Sequence, residues 1–153
     1  MIKAIKSIFQ KAPDVDPILE GLLKQLYPAL WIQFDMLGYR GKAFPLEGSY
    51  ISGQSRGYLI GLAEAICVHN MGDRLSHDVF MAVAAAAFSE AYGDKPHWTI
   101  LCDTLEEFQR GNEKVLEGAQ HAHNDIADVY ANVPYATIMG FWLFNNGIDQ
   151  PKV

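Results

Sequence analysis

Between Arg56 and Tyr92 the chain reads RGYLIGLAEAICVHNMGDRLSHDVFMAVAAAAFSEAY, a stretch that is apolar on nearly every side. From Tyr58 to Val68 the only charged side chain is Glu64, and from Val79 to Phe88 there is no polar side chain at all. A helix without a polar face has to be covered by other helices, so both segments belong inside a helical protein. Gly72 suits the left-handed end of the first helix, and the Ser76 hydroxyl suits the start of the second. The spacing therefore predicts an antiparallel helical hairpin over residues 56–92. The fold class that follows is all-α: residues 1–153 form a single-domain helical bundle of five or six helices around this central hairpin.

The flanking segments supply the cover. Ile2, Ile5 and Phe9 are spaced as on one face of a short helix over residues 2–11, ended by Pro13. Asp16-Pro17 reads as a helix start, and Leu19, Leu23, Leu26, Leu30, Phe34 and Leu37 form one apolar stripe behind it. Pro28 lacks the amide that would bond Lys24, which predicts a kink or a break near residues 25–28, with Trp31 beside it in the core. Residues 38–55 lose the helical period and read as a long loop, with a short hairpin turned at Glu47-Gly48 and a helix cap at Ser52 or Ser55.

Gly93-Asp94-Lys95-Pro96 combines a helix stop with a helix start. Leu101, Leu105, Phe108, Asn112, Val115, Ala119, Ala122, Ile126 and Val129 then keep a heptad seam without a slip, which predicts one helix over residues 97–131 that runs through Gly111 and Asn112. A last helix is expected from Val133-Pro134 to Asn145, apolar from Ile138 to Phe144 and suited to burial in its own bundle or against a second copy, through Trp142 among others. The hairpin register, in which facing residue numbers sum to about 146, predicts that Arg56 and Glu90 approach each other.

Composition narrows the function classes. A net charge of −6 argues against a nucleic-acid partner, whose phosphates require lysine and arginine. The apolar helical runs fall short of the roughly 18 residues of a membrane span, and Lys6 and Ser7 interrupt the apolar run of a signal peptide. Cys67 and Cys102 read as small hydrophobes within helices, which fits a cytoplasmic, reducing setting.

Three groups of side chains are candidates for chemistry. Arg40, Lys42 and Arg56, around a glycine-rich loop and a helix start, suit a phosphate or carboxylate, with Glu64 as a buried carboxylate or the polar floor of a pocket. His69, Asp73, His77 and Asp78 at the hairpin tip have the donor types for a divalent metal and its activated water. His77-Asp78 also resembles the His-Asp dipeptide of the all-helical, metal-dependent phosphohydrolases named after it. That likeness covers two residues, and the chain departs from the family in that His69 is too near to be its separate upstream ligand. His121, with Glu117 and Asp125 four residues to either side, reads as part of a water-facing surface.

None of these groups matches a complete catalytic pattern. The expectation is a non-enzymatic protein-binding bundle, an adaptor, inhibitor or immunity-type factor without a cofactor, which also self-associates. Residues 103–128 carry seven acids against two bases, which suits a basic protein partner. The alternatives are a small metal-dependent hydrolase centred on His69, Asp73, His77 and Asp78, and a bundle that binds a small ligand between its helices.

Overall fold

The computed structural model describes residues 15–146, and the short helix expected over residues 2–11 lies outside them. Six α-helices are described: α1 (Val15–Met36), α2 (Gly53–Met71), α3 (His77–Tyr92), α4 (His97–Gln109), α5 (Glu113–Tyr130) and α6 (Gly140–Asn145). Single 3-10 turns at Gly48–Ile51 and Gly72–Arg74 precede α2 and α3, and no strand occurs among the described residues. The bundle is all-α, as the hairpin required.

Helix α2 touches each of the other five, because its middle has no face fit for water. Ser52 caps it by accepting the Ser55 amide at 3.2 Å, and Gly72, at φ +53°, ends it. Ser76 opens α3 by accepting the Val79 amide. Along α3 the alanine run Ala84–Ala87 is buried, which lets α1, α2 and α4 all pack against a slim helix. Helix α1 continues through Pro28 as a single helix of 22 residues, so the expected break does not occur.

Helices α2 and α5 approach backbone to backbone. A β-carbon placed on Gly57 would lie 2.0 Å from the Val115 carbonyl oxygen, and one on Gly61 would lie 2.4 Å from that of Ala119. The reciprocal position on α5 is Gly118, whose β-carbon would meet the Gln54 carbonyl oxygen at 2.0 Å. Backbone lies against backbone along this seam, and any side chain would force the helices apart.

That seam explains why the long helix predicted over residues 97–131 is two helices. Gly111 takes φ +79°, and the Asn112 side chain accepts the amides of Lys114 and Val115 at 3.1 and 3.2 Å. Asn112 is thus the cap of α5 rather than a position inside a continuous helix. A stop signal and a cap in adjacent positions outweigh an uninterrupted apolar period, and the turn frees α5 to lie along the glycine face of α2.

The C-terminal segment also departs from expectation. Residues 131–139 are irregular, and the helix begins at Gly140 instead of Pro134. Asn132 and Tyr135 hold positive φ of 57° and 64°, and the Tyr135 side chain is fully exposed. Helix α6 is tied down by polar bonds at both ends. The Gly140 amide donates to the Tyr58 hydroxyl and to Asp125, both at 3.1 Å, and the Trp142 amide donates to Gln33. Asn145 donates to the Ser55 hydroxyl at 2.8 Å. Phe141 is buried between Phe34 and Phe44, with each ring pair about 5.2 Å apart.

No hairpin forms in residues 43–52. The loop is pinned instead by Phe44, which packs edge-on to Phe34 while its amide donates to the Ala91 carbonyl, and by the Tyr92 hydroxyl, which donates to the Tyr50 carbonyl.

The seam makes a paired prediction. Gly57→Ala should destabilise the protein by about 3 kcal/mol through overpacking. Gly21→Ala, inside α1 with nothing within 4 Å of its added methyl, should stabilise it by roughly 0.5–1 kcal/mol. Urea unfolding of both variants reads the difference, and equal effects would contradict the contact.

Candidate binding surface

The loop cations do not assemble. Arg40 forms a bidentate pair with Asp35, its Nε donating at 2.6 Å, and this bond holds the Asp35 carboxyl below its ordinary range. Arg56 donates to both oxygens of Glu107, to the Thr104 hydroxyl and to the Ile51 carbonyl. The Arg56–Glu90 approach expected from the hairpin register is therefore replaced by a pair across to α4. Glu64 stands apart from all three, bonded at 2.7 Å to His123 of α5, a partner that no spacing in the sequence links to it. The anion site composed of Arg40, Lys42, Arg56 and Glu64 is not formed as a unit.

The hairpin tip is equally dispersed. His69, Asp73, His77 and Asp78 are all exposed, and His69 lies edge-on to the Tyr130 ring at 5.2 Å. Among the described residues no three His, Cys, Asp or Glu side chains are grouped so as to hold a metal ion. On α5, His121 is only partly exposed and packs on Phe144, with Asp125 at 3.4 Å, so the water-facing assignment is corrected. Asp125 also accepts the Tyr58 hydroxyl at 2.8 Å. Burial, followed by the nearby Asp125 charge, pushes that phenol well above its ordinary range. The cysteines differ from each other: Cys102 is exposed, whereas burial, then the Glu64 charge, pushes the Cys67 thiol up to about 12.

A different place has the shape of a binding site. The C-terminal ends of α1 and α3 converge with the loop after α1 on a groove of about 480 Å³ lined by Trp31, Asp35, Arg40, Gly41 and Glu90. An adjoining hollow of about 270 Å³ shares Trp31, Gly41 and Glu90 and reaches Lys42, Ser89 and Asp94. Trp31, expected in the core, is 50% exposed here. Tyr27 stacks on it with ring centroids 5.2 Å apart and planes within 2°, and its indole N–H donates to Glu90 at 3.1 Å.

The edge of the hollow is fixed by the turn after α3. Ser89 donates to the Asp94 carboxylate at 2.9 Å, and His97 Nδ1 donates to the Asp94 carbonyl at 2.8 Å. Because a carbonyl only accepts, this bond leaves the neutral ring's lone pair on Nε2, which is buried without a hydrogen-bond partner among the described residues. Burial lowers the His97 pKa from its ordinary 6.5. As the pH falls through that value, the unfolded chain takes up a proton that the native fold resists. The stability His97 contributes is therefore present above about pH 6.5 and lost below it. Urea midpoints at about pH 7.5 and about pH 5.5 should fall less on acidification in His97→Gln than in the native protein. An equal fall in both would contradict this account of the turn.

From the sequence Trp31 is expected inside and Glu90 beside Arg56, and nothing in the spacing singles out Asp35. The available signal was the absence of any basic residue in the last turns of α1 and α3, where cations are ordinarily favoured. No family model matches the chain, and neither a curated protein nor a solved structure is significantly similar to it.

Proposed function

We propose that this protein is a non-enzymatic binding module that acts by holding a protein partner, in the manner of an adaptor, inhibitor or immunity-type factor. The observation that carries this reading is the outer face of α1, where Trp31, Ile32 and Met36 are each at least half exposed, at 50%, 56% and 54%. Large apolar side chains gathered beside a groove stabilise a domain more when covered than when wet, at about 25 cal/mol per Å². Acidic side chains on α4 and α5, among them Asp103, Glu106, Glu113 and Asp128, are exposed and favour a basic partner. The dispersed hairpin tip lends no support to the hydrolase alternative.

Two finer features belong to the same proposal. The setting is the cytoplasm, which suits two unpaired thiols, one of them exposed. Self-association uses α6, where Leu143 is half exposed one residue beyond the Trp142 amide that bonds Gln33 of α1.

Affinity isolation of the full chain from its native cells, followed by mass spectrometry, should recover a basic protein in stoichiometric amount. Ile32→Asp with Met36→Asp should abolish that recovery while leaving the far-ultraviolet circular dichroism unchanged, because both side chains already face water. Recovery of the chain alone would overturn the partner reading. Sedimentation equilibrium at high micromolar concentration tests self-association separately, and a persistent 17.1 kDa species would reject it.

A further inference from the structure

We propose that the groove between the C-terminal ends of α1 and α3 receives a cationic side chain of the protein partner, arginine or lysine, seated on the Trp31 ring and paired with Glu90. This deepens the protein-partner reading and rests on it. Three independent features of the groove favour a cation.

The first is the backbone. Helices α1 and α3 both end here, at Met36 and Tyr92, and neither has a basic residue in its last turn. Each helix end carries a negative partial charge of roughly half a unit, which stabilises a cation placed near it. The second is the balance of side-chain charge. Arg40 is matched by Asp35, and the lining of the adjoining hollow sets Lys42 against two carboxylates, Asp94 and Glu90. Among the described residues no lysine, arginine or histidine forms an ion pair with Glu90, whose carboxylate is held in place by the Trp31 indole N–H. The field of this carboxylate is felt within the site, since burial and then the Glu90 charge raise the Tyr27 phenol above its ordinary range.

The third feature is the aromatic platform. Tyr27 lies parallel to Trp31 at 5.2 Å and backs the ring, while half of the Trp31 side chain remains open. A tryptophan face attracts guanidinium or ammonium through its quadrupole, and a ring already fixed by stacking and by its N–H bond loses little freedom on binding. The groove of about 480 Å³ has volume enough for a guanidinium group and its methylene stem.

The test uses the whole protein labelled with nitrogen-15, titrated with N-acetyl-arginine methylamide and, as an uncharged isostere, N-acetyl-citrulline methylamide. Trp31→Leu identifies the Trp31 indole resonance by its disappearance. The arginine compound should shift that resonance saturably and the citrulline compound should not. Glu90→Gln, which preserves an acceptor for the indole N–H, should weaken binding about five-fold. Equal shifts with the two compounds, or no shift with either, would overturn the proposal. Failure here is distinguishable from failure of the partner reading: a partner that co-purifies equally well with native protein, Trp31→Leu and Glu90→Gln would overturn the cation pocket and leave the partner reading standing.

Discussion

Helix α2 can sit at the centre of the bundle only because α5 comes close enough to touch its backbone. Gly57 and Gly61 on one helix and Gly118 on the other bring the carbonyls of Val115, Ala119 and Gln54 to where β-carbons would otherwise stand. Close approach raises the number of favourable atomic contacts per unit length, each small and collectively large. It also exposes the cost of glycine, which weakens both helices on their own by roughly 1 kcal/mol per residue. The packing must more than offset that cost. The rest of the arrangement follows from it, since a slim seam on one side of α2 leaves its remaining surface for α1, α3, α4 and α6.

Polar groups at the edge of the seam then decide where the C-terminal segment lies. Tyr58 projects from α2 into a buried position, and its hydroxyl requires a partner there. Asp125 on α5 supplies it, and the two oxygens together accept the Gly140 amide. Gly140 has no room for a side chain, because its β-carbon would lie 2.1 Å from the Tyr58 ring. The start of α6 is thus set by a hydrogen-bonding requirement of α2. The helix needs no more than six residues to close the aromatic cluster of Phe34, Phe44 and Phe141.

The central hairpin was legible because its signals are local: a run of apolar residues, a glycine at the turn and a serine cap can be read without knowing what lies nearby. The break between α4 and α5 carries local signals too, Gly111 and the Asn112 cap, but there they compete with an equally local apolar period. The heptad through Asn112 is real in the sequence, and the choice between continuing the helix and capping a new one depends on where the glycine face of α2 lies. The start of α6 at Gly140 depends in the same way on Tyr58 and Asp125, residues distant in the chain. For the candidate surface, Arg40 and Arg56 were found by composition, but their partners Asp35 and Glu107 were not. Pairing across 51 positions of sequence, as between Arg56 and Glu107, leaves no periodic trace. Trp31 was misplaced because the stripe that buries Leu26, Leu30 and Phe34 passes next to it without including it.

The candidate surface and the seam are built from different residues, so the outer face of α1 is carried by a frame it does not help to build. That frame stands or falls with the distance between α2 and α5. Nuclear Overhauser contacts between the α-protons of Gly57 and the α-proton of Val115, measured on the full chain, report that distance directly. Strong backbone-to-backbone cross-peaks at this pair, and between Gly118 and the Gln54–Tyr58 stretch, are the result the seam predicts. Their absence in a well-dispersed spectrum of the folded protein would show that α2 and α5 are spaced by side chains and would contradict the account.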